Sequence, residues 1–195
     1  QDADLVWADW CSGKLAQMPI QKQRDFQDDL LGIIEHEYPA NQPAVIKDPR
    51  MSRLVSLYRA ALANSLTMQA IIAVRNPHEV IGSLLRRNNM PRSDAALLWL
   101  RYMLDAVDGS NGMTRAFVSY DTLLADPVAA LEQVQSTLRT TFKIHPQTAR
   151  REIETFINPG LRSHPKTTED TWHDDLTHGW VRATYEALLT LQSAA

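Results

Sequence analysis

Two side chains that suit phosphate binding stand near the start of one predicted helix. In the stretch IIAVRNPHEVIGSLLRR, residues 71–87, Arg75 follows an apolar run and Ser83 comes eight residues later. A guanidinium donates forked hydrogen bonds that match phosphate oxygens, and a helix N-terminus attracts anions through its dipole and its unpaired N–H groups. The pattern therefore favours an anion site, although an ordinary salt bridge at Arg75 and an unremarkable helical serine fit it equally.

Lys47 is a candidate for stabilising charge during group transfer. It follows the short apolar run Ala44–Ile46 and opens the sequence KDPR, so we predict that it lies at the end of a strand beside a rigid proline turn. An ammonium in that position stabilises negative charge that develops on a leaving phosphate. The alternative is a surface ion pair between Lys47 and Asp48 or another nearby carboxylate.

Apolar spacing and turn signals predict the elements that position these residues. Strands are predicted at 44–46, 69–74 and 115–119, and helices at 3–11, 21–37, 51–63, 77–87, 93–107 and 128–138, with helical spacing again from His145 onward. Strands separated by helices pair in parallel through right-handed crossovers, which predicts a helix-rich α/β domain. In such sheets ligands bind at the carboxyl ends of the strands.

Composition excludes several classes of protein. The chain has 195 residues, 44% hydrophobic and 22% charged, as globular proteins do. A net charge of −3 predicts no nucleic-acid partner, and the absence of a long apolar run or a signal-peptide layout predicts no membrane span. The single cysteine, Cys11, favours a reducing, cytoplasmic location. The spacing of His173 and His178 does not suit one helical face, so no metal site is predicted.

Three segments, in the same order, resemble the PAPS-dependent sulfotransferases, and among them bacterial-type members related to the tyrosylprotein and carbohydrate enzymes. They are VIKDPRMSRL at 45–54, IIAVRNPHEVIGSLLRR at 71–87 with the helix at 97–107, and FVSYDTLLADP at 117–127, with a weaker echo in FINPGLRSHP at 156–165. The resemblance implies a P-loop-NTPase-like parallel sheet flanked by helices. It also implies transfer of a sulfuryl group from 3′-phosphoadenosine 5′-phosphosulfate (PAPS) to a hydroxyl or amine, with release of 3′-phosphoadenosine 5′-phosphate (PAP) and without a metal.

The resemblance implies a role for each matched residue. Arg75 and Ser83 hold the 3′-phosphate of the nucleotide, and Lys47 lies beside the sulfuryl group as electrostatic stabiliser or proton donor. Tyr120 matches a position that contacts the nucleotide, although a tyrosine that packs under the sheet edge is an open alternative. Arg162, in a polar loop with His164, is a further candidate phosphate contact unless that loop is only a connection.

One family feature is missing from the sequence. The family binds the 5′-phosphosulfate with an N-terminal strand, loop and helix, whereas Ser12-Gly13-Lys14 follows a helical pattern. We therefore expect an N-terminally incomplete fragment, since the first residue is Gln1 and not methionine; a degenerate member without the loop is the alternative. On this interpretation residues 1–195 form one sulfotransferase-like domain, with a helical acceptor-side segment at 1–40, a nucleotide-binding core at 44–140 and a C-terminal helical segment at 145–195.

Two other functions fit the sequence. A P-loop nucleotide or small-molecule kinase requires a Walker loop, and Asp48 is its candidate magnesium ligand. A non-catalytic nucleotide-binding module retains only the 3′-phosphate element. For the sulfotransferase, the acceptor is a small molecule, a carbohydrate or a peptide, and the sequence assigns neither a general base nor an oligomeric state.

Overall fold

The chain divides into two compact units. The computed structural model describes residues 7, 8, 10, 19–38, 43–142, 147–157 and 176–193. The helical unit consists of Gln1–Met68 with Arg101–Met113, and the sheet unit consists of Gln69–Leu100 with Thr114–Ala195. Apart from Trp7, Ala8 and Trp10, the helix predicted at 3–11 lies outside the described residues.

Two amphipathic helices form the core of the helical unit. Helix α1 spans Ile20–Glu37 and helix α2 spans Met51–Leu62, which confirms both predictions. Leu30 and Ile34 of α1 are buried against Leu62 of α2. Burial of a side chain of this size stabilises the folded state by about 1.5–3 kcal/mol, so apolar contact is the main force that holds the two helices together.

The second half of helix α4, which spans Arg92–Gly109, packs on α2 within the helical unit. Nη1 of Arg59 donates to the carbonyl oxygens of Gly109 at 3.0 Å and of Asn111 at 2.8 Å. These bonds satisfy carbonyl groups at the end of α4 that have no partner inside the helix. Gly109 lies so close to α2 that a methyl group placed on it would be 2.8 Å from Cβ of Val55.

A parallel pair of strands forms the centre of the sheet unit. Strand β1 spans Gln69–Val74 and strand β2 spans Thr114–Ser119, with Val74 the register partner of Ser119. Both strands and their parallel pairing confirm the prediction. The pairing aligns the carboxyl ends of the two strands, where the predicted anion-binding residues begin.

Helical segments make up the rest of the secondary structure described in the sheet unit. They are α3 (Pro77–Asn88), the first half of α4, α5 (Tyr120–Ala125), α6 (Pro127–Leu138), α7 (Arg150–Phe156) and α8 (Leu176–Ser193). Side-chain oxygens of Asn76 and Asp126 accept N–H bonds at the starts of α3 and α6, and a proline follows each cap, which is a strong start signal. Val134 and Leu138 of α6 pack on Ala116 of β2. None of the described helices combines the length and apolar composition needed to cross a membrane.

The strand predicted at Ala44–Ile46 is wrong. Residues 43–48 have no regular secondary structure, and Val45 is 74% exposed. A strand needs a hydrogen-bonded neighbour, and within the described ranges the only sheet is the β1–β2 pair. The three residues have the apolar composition of a strand, but no neighbouring strand among the described residues forms hydrogen bonds with them. The coarse α/β prediction is nevertheless confirmed, as a helix-rich chain with a small parallel sheet.

Gly109→Ala and Gly32→Ala form a matched test of packing in the helical unit. The methyl group at 109 overlaps Val55, so we expect a loss of about 1–3 kcal/mol in the free energy of unfolding. Gly32 lies inside α1 with no atom within 4 Å of an added methyl group, so alanine there stabilises by about 0.5–1 kcal/mol. Urea unfolding measures both, and a Gly109→Ala protein as stable as wild type contradicts the close approach of α4 to α2.

Candidate functional site

The carboxyl ends of β1 and β2 bring Arg75 and Tyr120 into contact. Because Val74 and Ser119 are register partners, the residues that follow them leave the sheet side by side. The guanidinium carbon of Arg75 lies 4.5 Å from the centroid of the Tyr120 ring, a cation–π distance. The structure thus brings together Arg75 and Tyr120, two candidate residues that belong to different sequence motifs.

Glu79 holds the Arg75 guanidinium from a second direction. Nε of Arg75 donates to Oε2 of Glu79 at 3.0 Å, and the Glu79 side chain is only 2% exposed whereas that of Arg75 is 37% exposed. In the described part of the chain, the two terminal nitrogens of Arg75 have no hydrogen-bond partner. The arginine is therefore fixed by its Nε atom and by one face, and its forked end is available to a ligand. Arg75 precedes the N-cap Asn76, so this pair joins the residue before the helix to the first turn of α3.

The backbone N–H groups at the start of α3 already have partners. Pro77 lacks an N–H group, and the N–H of His78 donates to Oδ1 of Asn76 at 2.9 Å. The N–H groups of Glu79 and Val80 reach the Asn76 carbonyl oxygen at 3.1 and 3.3 Å. The expectation of unpaired N–H groups at this helix end is therefore wrong, and only the helix dipole remains. Binding of an anion here depends on side chains.

Ser83 lies one turn beyond Glu79 and is partly buried. Hydroxyl groups inside helices often donate to a carbonyl oxygen four residues earlier, as Thr155 and Thr190 do at 2.7 and 3.0 Å. Ser83 makes no such bond, and within the described ranges its hydroxyl has no hydrogen-bond partner. The hydroxyl is available as a donor on the face of α3 that carries Glu79.

Helix α8 fixes the turn that carries Tyr120. The N–H of Ser119 donates to Oε1 of Gln192 at 2.7 Å, and Nε2 of Gln192 donates to Oγ1 of Thr122 at 2.8 Å. Oγ of Ser119 also accepts the N–H of Thr122 at 3.0 Å, which caps the short helix α5. No motif marks Gln192, so the sequence contains no signal for its contribution.

Lys47 belongs to the helical unit, whereas Arg75, Ser83 and Tyr120 belong to the sheet unit. Its side chain is exposed in the irregular segment 43–48. The alternative ion pair with Asp48 does not form, because Asp48 binds Arg50 instead, with Nε to Oδ1 at 3.0 Å and Nη2 to Oδ2 at 2.6 Å. This bidentate ion pair fixes the KDPR turn. Among the described residues, the Lys47 ammonium has no ion-pair partner.

The structure does not describe the side chains of the remaining candidates from the sequence. Arg162, His164 and His173 are outside the described residues, and the side chain of His178 is too. Where the structure describes the chain, no three histidine, cysteine, aspartate or glutamate side chains lie together as metal ligands would.

Comparison with known proteins adds no relative. No family model, no curated protein sequence and no solved structure matches the chain.

Arg50→Gln tests the ion pair at the KDPR turn. Hydrogen bonds from the side chain and the backbone N–H of Arg50 lower the pKa of Asp48 from 3.8 to about 2. We expect Arg50→Gln to return this pKa part of the way toward 3.8, because the backbone N–H of residue 50 still donates to Asp48, and Lys47→Gln to change it far less because the lysine acts only through weaker charge attraction. A carboxyl NMR titration reports both values.

The lowered pKa of Asp48 predicts that the stability of the folded state depends on pH. Because the folded-state pKa of Asp48 is depressed, the pair stabilises the folded state fully above about pH 4, and this stabilisation is lost as the pH falls toward 2. An Asp48 pKa near 3.8 in the wild-type protein, or equal shifts in the two variants, contradicts the geometry described for the turn.

Proposed function

We propose that this protein is a PAPS-dependent sulfotransferase with a P-loop-like α/β fold, which binds PAPS, transfers its sulfuryl group to a hydroxyl or amine and releases PAP. The contact between Arg75 and Tyr120 at the carboxyl ends of β1 and β2 is the observation that carries this proposal. That edge of a parallel sheet is where nucleotides bind in α/β proteins. The order of the three segments that resemble the sulfotransferases supports PAPS as the sulfuryl donor.

In this proposal Arg75 and Ser83 bind the 3′-phosphate. Nε of Arg75 is occupied by Glu79, so the two terminal nitrogens supply the paired donors that phosphate oxygens accept. The Tyr120 ring covers one face of the guanidinium and limits its rotation, which lowers the entropy lost when the ligand binds. The Ser83 hydroxyl adds a donor one turn further along α3.

Lys47 is the proposed catalytic residue. In the transfer, the acceptor oxygen or nitrogen forms a bond to sulfur while the bond from sulfur to the 5′-phosphate oxygen breaks, and the proton of the acceptor passes to water. Negative charge develops on the departing phosphate oxygen, and an ammonium stabilises it or donates a proton to it. Lys47 has no competing ion pair in the described chain, so its charge is available for this role.

Isothermal titration calorimetry with PAP tests the nucleotide site. We expect wild-type protein to bind PAP and Arg75→Ala to bind it about 10- to 100-fold more weakly, because each hydrogen bond between charged groups contributes roughly 1.5–3 kcal/mol. Arg182→Ala is the matched control, since Nε of Arg182 also pairs with a glutamate four residues later, Glu186, at 2.8 Å.

Two outcomes would reject the nucleotide site. If wild-type protein does not bind PAP, the proposed donor is wrong. If Arg75→Ala and Arg182→Ala weaken binding equally, the loss comes from a general change in charge and Arg75 is not the ligand.

Lys47→Met separates catalysis from binding. We expect this variant to bind PAP as wild type does and to transfer labelled sulfuryl groups from PAPS at least about 100-fold more slowly, because it lacks the charge that stabilises the leaving group. Lys22→Met, in α1, is the control with an equal change of charge. A panel of phenolic, carbohydrate and amine acceptors measures transfer, and an unchanged rate in Lys47→Met excludes the catalytic role.

A further inference from the structure

Helix α7 carries an apolar stripe that the rest of the sheet unit only partly covers. Ala149, Ile153 and Ile157 follow at steps of four residues, so they share one face of the helix. Phe156 lies beside Ile153 on that face, three residues further along the chain. Its side chain is 81% exposed, more than that of any other large apolar residue that the structure describes. Adjoining apolar groups left in contact with water mark sites where a ligand or a partner binds.

This stripe lines a cavity of about 420 Å³ within the sheet unit. Leu123 of α5 and Leu131 of α6 contribute the rest of its apolar lining. Nε2 of Gln147 donates to Oε1 of Glu132 at 2.9 Å, which links the turn before α7 to α6. Sites for small ligands have volumes of about 300–1,000 Å³ and mostly apolar walls. The cavity therefore has the size and the lining of a small-molecule site.

Glu152 gives the cavity an electrostatic preference. Among the described residues that line the cavity it is the only charged one, and it is exposed. Oε1 of Glu154, on the same helix, accepts from Nη1 of Arg150 at 3.0 Å. Glu152, in contrast, has no ion-pair or hydrogen-bond partner in the described part of the chain. A carboxylate at the edge of an apolar cavity attracts a cationic group and repels an anionic one.

We propose that this cavity binds a hydrophobic amine, a small molecule with an apolar body and one ammonium group. The body fills the space between the α7 stripe and the two leucines, Leu123 and Leu131, and the ammonium pairs with the carboxylate of Glu152. A neutral ligand of the same shape fills the cavity without the ion pair. The inference goes beyond the proposed function and does not rest on it, because none of these residues takes part in the proposed nucleotide binding or sulfuryl transfer.

Benzylamine, benzyl alcohol and benzoate test the proposal, because they share an aromatic body and differ in charge at neutral pH. We expect each ligand to shift the methyl NMR signals of Leu123, Leu131 and Ile153 in the full chain. Benzylamine should bind about two- to fivefold more tightly than benzyl alcohol, since an exposed ion pair contributes little more. Benzoate should bind most weakly of the three.

Glu152→Gln and Glu154→Gln form a matched pair of variants, because each removes one negative charge from α7. Glu152→Gln should lower the affinity for benzylamine to that for benzyl alcohol, and it should leave the alcohol within about twofold of wild type. Glu154→Gln should leave both affinities within about twofold. Phe156→Ala should weaken all three ligands by about threefold or more, because it removes an apolar surface on which their rings pack.

Three results would overturn the proposal. If the methyl signals do not move with any of the ligands, the cavity is not a binding site for this class of molecule. If the three ligands bind equally, or if the two glutamate variants affect benzylamine alike, Glu152 does not select an amine. If sedimentation shows a dimer that Phe156→Ala abolishes, the cavity is covered by a second copy of the chain.

Discussion

The parallel pairing of β1 with β2 is the constraint on which the candidate site depends. Register fixes Val74 beside Ser119, and the residues that follow them, Arg75 and Tyr120, carry two side chains of the candidate site. The Arg75–Tyr120 contact follows directly from that register. A shift of one residue would also turn the buried side chains of β2 away from α6, so the packing of Ala116 against Val134 and Leu138 protects the geometry of the site.

At the start of α3, the backbone N–H groups are bonded within the protein, and only side chains offer free donors among the described residues. Asn76 uses its amide oxygen and its carbonyl oxygen to satisfy the first N–H groups, which stabilises the helix but removes the donors that most phosphate-binding helix ends present. An anion at this position would therefore meet side chains such as that of Arg75 in place of backbone N–H groups. Such a site depends more on charge and less on fixed backbone dipoles, so its affinity should decrease more steeply with ionic strength.

Local signals made much of the fold predictable, and missing partners account for the main error. Asn76-Pro77 and Asp126-Pro127 mark helix starts, and the β-branched run before Arg75 marks a strand, because these features act within a few residues. The run Ala44–Ile46 has the same local appearance, but a strand also needs a neighbour, which no local pattern supplies. Within the site, sequence motifs predict Arg75 and Tyr120. No motif predicts Gln192, because its role depends on contacts with distant residues.

The two hydrogen bonds of Gln192 can form only late in the synthesis of the chain. Gln192 follows Ser119 by 73 residues and Thr122 by 70. At translation rates of about 5–20 residues per second, roughly 4–14 seconds separate the appearance of the turn from that of its stabilising side chain. A nascent chain can pair β1 with β2 during that interval, but the segment around Tyr120 then lacks two of the bonds that hold it. The geometry of the turn that carries Tyr120 therefore depends on the emergence of α8 from the ribosome.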